Sequence, residues 1–150
     1  MPERSFETPV GKLTVTEDQG ALTRVTWGGD AADDTPLLRR VQRQLAEYFA
    51  GDRHSFDLPL RIDAREFQKR VCAAMQAIPF GETRRYGDLA KDLGVPAQAV
   101  GQACGGNPLP ILIPCHRVLG ANGLGGFSGG TGIETKVQLL RLEGAASLLI

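Results

Sequence analysis

The sequence predicts a mixed α/β fold of the α+β kind in two parts. A small N-terminal sheet-plus-helix subdomain, residues 1–64, packs on a mainly helical C-terminal subdomain, residues 65–150. Three observations predict it. Apolar and polar residues alternate near the N-terminus, as they do along a half-buried strand. Apolar residues then recur at helical spacing in separate stretches on either side of residue 64. Charge and glycine divide in the same way: residues 1–64 carry 8 Lys+Arg against 11 Asp+Glu, residues 65–150 carry 9 against 6, and most of the 19 glycines follow residue 79. A chain of 150 residues suits one globular unit or two very small ones sharing a surface.

The elements follow in order. Within residues 5–27, Leu13 and Val15 alternate with Lys12, Thr14 and Thr16, a turn falls at Asp18-Gln19-Gly20, and Leu22, Val25 and Trp27 form a second strand-like run. Residues 28–35 are polar and read as a loop. Thr35-Pro36 is an N-cap followed by proline at the first helical position. Leu37, Val41, Leu45 and Phe49 then share a helical face, and Gly51 stops the helix. Residues 56–60 read as a further strand. In the second part, Phe67, Val71 and Met75 fall on one helix face and Pro79-Phe80-Gly81 breaks it. Residues 86–93 form a short helix closed by Gly94, and Pro96 opens another that runs to about Cys104. Two short helices joined by a Gly-containing turn outline a helix-turn-helix, and equally a plain helical hairpin packed in a core. Pro108, Pro110 and Pro114 then exclude a helix and stiffen an apolar segment that ends at Cys115. Residues 120–130 are a Gly-rich loop containing Phe127 and Ser128. Finally, Thr131 and Glu134 fit a capping box, Ile133, Val137 and Leu140 share a face, and Gly144 ends the helix.

Composition narrows the function. Cys72, Cys104 and Cys115 are odd in number and widely spaced, which is no disulfide framework. There is no Cys-x-x-Cys pair, and His54 and His116 are the only histidines, so no metal site is expected. No signal-peptide-like stretch opens the chain, and no apolar run approaches the roughly 20 residues that span a bilayer. The expectation is a cytoplasmic protein without membrane association, in a reducing compartment where Cys115 stays a free thiol. A pI of about 6.7 speaks against a strongly basic nucleic-acid binder, although the positive second part can meet a polyanion. No glycine-rich phosphate loop of nucleotide-binding type is present.

Cys115-His116 is the chemical centre. A thiol becomes a strong nucleophile on losing its proton, and an imidazole can take that proton. A bare Cys-His pair is more often a buried structural cysteine beside a surface histidine. Here the pair ends a rigid proline-flanked segment and precedes a Gly-rich loop able to line a pocket. The string Pro114-Cys115-His116-Arg117-Val118 resembles the active-site signature of the O6-alkylguanine-DNA alkyltransferase family, the methylated-DNA–protein-cysteine methyltransferases. Ile78-Pro79-Phe80-Gly81-Glu82-Thr83 and Tyr86-Gly87-Asp88-Leu89-Ala90 are similar to that family's segment before its helix-turn-helix. Ala99-Val100-Gly101, Gly106-Asn107-Pro108 and Ile111-Leu112-Ile113 resemble its recognition helix and the asparagine turn after it. Gly126-Phe127-Ser128-Gly129-Gly130 and Lys136 through Glu143-Gly144 resemble its tail. The resemblance covers residues 65–144, and the first 60 residues fit the family's variable, ribonuclease H-like N-terminal subdomain loosely.

The resemblance implies a DNA repair protein that flips a damaged guanine out of the duplex and moves its O6-alkyl group irreversibly onto Cys115, once per molecule, with O4-alkylthymine as a further candidate substrate. It implies that His116 acts through a water as base, that Glu143 orients His116, and that Tyr86 faces the flipped guanine and donates a proton as it leaves. Val118, through its backbone, and Ser128 are implied to hydrogen-bond the guanine. Asn107 and Arg117 are given structural roles. A helix carrying Ala97, Ala99, Gly101, Ala103 and Gly105 is implied to enter the minor groove, with Gln98 and Ala99 against DNA. Arg84 and Arg85 are either phosphate contacts or solvated surface charges. The implied partner is double-stranded DNA carrying O6-alkylguanine, met by a monomer that needs no cofactor, metal or obligate protein partner. Two positions depart from the pattern: Gln98 stands where the family usually has an arginine that enters the base stack, and Gln102 where a small residue is usual. A relative that binds alkylated guanine without reacting lacks the cysteine. A cysteine hydrolase has no support in the remaining motifs, and against a DNA-binding sensor the expectation is that 150 residues leave no room for an added metal-binding sensor domain.

Overall fold

The computed structural model describes residues 1–121, 123–127 and 129–145. The chain forms two compact units, Met1–Asp63 and Ala64–Ile150.

The first unit is a three-stranded antiparallel sheet with one helix. Strands β1 (Glu3–Thr8), β2 (Gly11–Asp18) and β3 (Ala21–Trp27) pair in sequence order. Between β2 and β3, Gln19 and Gly20 both have positive φ, 50° and 80°, so the hairpin closes through two left-handed residues whose twist matches the strands. Leu13, Val15, Leu22 and Val25 are buried, as the alternation predicts. Thr14 and Thr16 on the other face are buried as well, their hydroxyls bonded to Ser5 Oγ (2.6 Å) and Glu3 Oε2 (2.8 Å). Helix α1 (Pro36–Phe49) starts where expected, with the Thr35 hydroxyl accepting from the Leu38 N–H. Its buried face is Leu38, Val41, Leu45 and Tyr48, one step round from the predicted one, leaving Leu37 and Phe49 at the margin. Residues 56–60 are not a strand. Only Leu60 bridges Leu22, because Pro59 has no N–H to carry a ladder further.

The second unit is helical apart from one short strand pair. Helix α2 (Glu66–Gln76) buries Val71, Cys72 and Met75. The two-residue strand β4 (Arg84–Arg85) runs parallel to β5 (Val118–Leu119), tying the entry of the next helix to the exit of the Cys115 turn. Helices α3 (Tyr86–Leu93) and α4 (Ala97–Gly105) are joined by a turn in which Gly94 takes φ 69° and donates to Ala90 O. Leu89 and Val100 are wholly buried, and the pair has the helix-turn-helix form. Helix α5 (Ile133–Leu142) departs from expectation in two ways. Gly132 at φ 73° is its N-cap, and the Thr131 N–H and hydroxyl both meet Thr135 Oγ1, so no Thr131–Glu134 capping box forms. Its buried face is Thr135, Lys136, Leu139 and Leu140, while Ile133 is exposed. No described helix is long and apolar enough to cross a membrane.

Candidate active site

Three prolines bring the chain to Cys115 in a buried, non-helical path. Ile111 turns it at φ 74°, a conformation that costs a β-branched residue on the order of 1–3 kcal/mol and persists only when neighbours impose it. Asn107 is the neighbour that imposes it. Its side-chain N–H donates to Ile113 O (2.8 Å) and its Oδ1 accepts from Leu109 N–H (3.0 Å), spanning the bend. Cys115, His116 and Arg117 then form a single buried 3-10 turn. Val118 closes it, its N–H going to Cys115 O and its carbonyl accepting the Lys136 ammonium at 2.7 Å.

Glu143, just past α5, joins the turn to the helix. One oxygen accepts from His116 Nε2 at 2.7 Å, and Arg117 grips both oxygens through Nε (2.8 Å) and Nη2 (3.0 Å). Arg117 Nη1 donates to Ile78 O (2.6 Å), and its guanidinium lies 5.9 Å from the Phe80 ring centre. A carboxylate held by arginine can only accept, so His116 Nε2 carries a hydrogen. Burial holds the His116 pKa below the usual histidine value, with Glu143 opposing and Arg117 and Lys136 assisting, so the ring is neutral. Its Nδ1 is therefore a lone pair, and that atom has no hydrogen-bond partner among the described residues.

Cys115 opens into a cavity of about 360 Å³ lined by Tyr86, Gly101, Cys104, Gly105, Gly126 and Phe127. Burial pushes the Cys115 thiol up, against a hydrogen bond from the Asn107 side chain and the charge of Lys136, which favour the thiolate. Tyr86 is likewise pushed up, first by burial and then by the two cysteines, so it keeps its proton. The loop after β5 lies against Tyr86: a Cβ on Gly125, at φ 73°, would sit 3.0 Å from the Tyr86 ring.

The sequence-predicted residues thus separate into groups. Cys115 and Tyr86 share the cavity, and His116, Glu143 and Arg117 form one buried hydrogen-bonded cluster. Gln98 lines a neighbouring groove of about 530 Å³ with Tyr86, Gly87, Ala97, Gly101, Gln102 and Ala121. Ala99 is half-buried on α4. Arg84 pairs with Asp92 at 2.7 Å, and Arg85 is exposed at the start of α3. The Val118 side chain is buried and both its backbone groups are engaged within the protein. Ser128 lies outside the described residues. Two residues were given no role from sequence. Lys136 is fully buried, donates to Val118 O and Gly126 O, faces the Tyr86 ring at 5.9 Å, and is held down to about 8, chiefly by burial. Its spacing from Leu140 and Glu143, on one helical face, is the signal that could have found it. Cys104 is the other. No group of three or more potential metal ligands occurs among the described residues.

Comparison with known proteins accords with this geometry. The DNA binding domain of 6-O-methylguanine DNA methyltransferase matches residues 66–145, and the ribonuclease-like domain of the same family matches residues 1–62. A methylated-DNA–protein-cysteine methyltransferase of Methanosarcina acetivorans is 42% identical over 152 residues, covering 93% of this chain and 96% of its own. The constitutive Bacillus subtilis protein of that name is 41% identical, with 91% and 92% covered. The crystal structure of Mycobacterium tuberculosis OGT in complex with DNA superposes with a TM-score of 0.87 at 39% identity, covering 98% of this chain and 96% of that one. With both halves matched and relatives at this identity over nearly its whole length, the chain belongs to the methylated-DNA–protein-cysteine methyltransferase family.

Proposed function

We propose that this chain repairs O6-alkylguanine in DNA by transferring the alkyl group to Cys115 Sγ. The observation that carries the reading is the neutral His116, held by Glu143 with its Nδ1 lone pair unpartnered in the turn that bears Cys115. That nitrogen takes the thiol proton, through one bridging water, and Glu143 stabilises the imidazolium. The thiolate, favoured by Lys136 and Asn107, displaces guanine from the alkyl carbon as the carbon–O6 bond breaks. Tyr86, still protonated, supplies the proton that lets guanine leave as a neutral base. The atoms balance without cofactor or metal. The product is a thioether, which no group in the site can reverse, so each molecule reacts once. O4-alkylthymine presents the same alkyl–oxygen bond and is a second substrate of the same chemistry.

Cys115 is buried in the cavity, where a base within the stack does not reach, so on this reading the damaged nucleotide is flipped out of the duplex. Helix α4 carries no charged residue and presents Gln98 and Gln102 beside the cavity, suiting close approach to a groove floor. Arg85 is free to meet phosphate, whereas Arg84 is already committed to Asp92. On this reading Ser128 and the backbone of Val118 hydrogen-bond the guanine, and the protein acts as a monomer on double-stranded DNA. The test is intact-mass spectrometry after incubation with a duplex carrying one O6-methylguanine. One methyl mapped to Cys115, absent in Cys115→Ser, supports the reading. Tight lesion-specific binding with Cys115 unmodified overturns it.

Two predictions follow from the surroundings of the cavity. The transfer rate rises through a pH below the ordinary histidine value of 6.5, because His116 must be neutral, and falls above about 8 as Lys136 loses its proton. Stability moves the other way there. Between about 8 and the ordinary 10.5 the unfolded chain binds a proton that the folded one does not, so Lys136 contributes stability that grows with pH. Lys136→Met should lose the alkaline limb in single-turnover kinetics and react roughly 10²-fold more slowly at pH 7. Separately, Gln98→Arg adds a cation to an uncharged helix. Its binding to duplex DNA should steepen with salt by about one unit in the log–log slope, measured by fluorescence anisotropy, and an unchanged slope places position 98 away from DNA.

A further inference from the structure

The cavity holds a second thiol that methyl transfer leaves unused. Cys104, on α4, lines it together with Cys115. Asn107 touches both cysteines: its backbone N–H lies 3.3 Å from Cys104 O, and its side chain hydrogen-bonds the Cys115 sulfur. Tyr86 lines the same cavity, so both cysteines and the phenol border one chamber of about 360 Å³. On its other side Cys104 is backed by the wholly buried Met75, whose sulfur lies 3.5 Å from its own. A soft nucleophile thus stands in the same small chamber as the transferred carbon.

On the reading that Cys115 accepts alkyl groups from guanine, we infer that Cys104 is a second acceptor for bifunctional substituents, closing a two-carbon bridge to Cys115 when the O6 group is a 2-haloethyl chain. In the first step Cys115 Sγ displaces guanine from the near carbon and leaves an S-(2-haloethyl)cysteine. In the second, Cys104 Sγ attacks the far carbon, a carbon–sulfur bond forms, and halide departs with its electron pair. The Cys104 proton goes to the Tyr86 oxygen, which gave up its own proton when guanine departed, and the proton that His116 took in the first step is released. The product is an ethylene dithioether, with one halide and one proton released and no oxidant consumed. In the unreacted site the Cys104 thiol is pushed up to about 12, by burial first and by the Cys115 charge second. Once Cys115 is a neutral thioether, no charge can form there to oppose a thiolate at Cys104. The closing step is also intramolecular, and well-oriented intramolecular displacements reach effective molarities of about 10⁵ M or more, ahead of water. The bridge consumes an electrophile that otherwise reacts with solvent or with the DNA beside it.

The test uses the whole protein and a duplex carrying one freshly prepared O6-(2-chloroethyl)guanine, followed by digestion and peptide mapping. The expected result is a peptide in which Cys104 and Cys115 are joined by two methylenes, the protein having gained two carbons and two hydrogens and no halogen. It should exceed the hydrolysed S-(2-hydroxyethyl) product by about tenfold or more. Among Cys104→Ala molecules alkylated at Cys115, the hydroxyethyl form should replace the bridge, while Cys72→Ser should still bridge. A wild-type protein with hydroxyethyl or chloroethyl on Cys115 and Cys104 free, or with Cys115 joined to DNA, overturns the inference. A parallel incubation with O6-methylguanine separates the two ideas. Failure to take up methyl sinks the transfer reading itself, whereas methyl uptake without bridging sinks only the role of Cys104. If Cys104→Ala does not fold, the wild-type and Cys72→Ser peptides decide alone.

Discussion

Glu143→Gln lowers the single-turnover transfer rate by on the order of 10³–10⁴ while leaving the fold in place. The carboxylate of Glu143 accepts from His116 Nε2 and from two nitrogens of Arg117, and every one of these partners is a donor. An amide of the same shape has only one accepting atom. If its oxygen stays with Arg117, its NH2 faces His116 and the ring must turn its hydrogen to Nδ1. The lone pair that takes the thiol proton then disappears. If the oxygen stays with His116, the NH2 faces a buried guanidinium. Quenched time points read by mass spectrometry give the rate, and a loss smaller than tenfold contradicts the assignment of His116 as base. Thermal melting of the same variant separates this chemical effect from unfolding.

Arg117→Met has its largest effect on stability. Arg117 is nearly buried and fastens Glu143, at the end of α5, to Ile78 O beyond the end of α2. Removing one partner of a buried ion pair costs about 3–5 kcal/mol, because the other charge stays behind uncompensated. A fall in melting temperature of more than about 10 °C is expected for a unit of this size, measurable by calorimetry. Chemistry should change as well. The Arg117 charge helps hold His116 down, so its loss lets His116 take a proton more readily. The acid limb of the rate profile then moves to higher pH. In the wild type, the depressed His116 contributes stability that is present above pH 6.5 and lost as pH falls below it toward the folded value. The variant should show less of that acid sensitivity. An unshifted acid limb would mean that a group other than His116 controls it.

Much of this was legible in the sequence, for identifiable reasons. Thr35-Pro36 and Gly94 mark helix ends through local chemistry, and local chemistry survives folding. The three prolines announced the segment that delivers Cys115. What failed depended on partners distant in sequence. The buried face of α5 includes Thr135 and Lys136, polar residues that periodicity sends outward. Lys136 is inside because the carbonyls of Val118 and Gly126 receive it, 18 and 10 residues away. Residues 56–60 look like a strand until Pro59 is asked for an N–H. The Arg117–Glu143 clamp spans 26 residues; adjacency in sequence pointed only to Cys115-His116, and it was the family resemblance that gave Arg117 its structural role. Cys104 stood in the sequence only as the end of a short helix, and the cavity is what sets it beside Cys115.

The burial that raises the Cys115 thiol has a consequence for the protein's shelf life. A reagent that works once is lost to whatever reacts with it first, and thiolates attract peroxides and stray electrophiles. Here burial covers the thiol and favours its protonated form. Reactivity is thus conferred at the moment of use rather than carried all the time. On the proposed once-only transfer, a stock of such molecules would wait unspent, and the damage it answers would be counted by the number of intact copies rather than by how fast any one of them turns over.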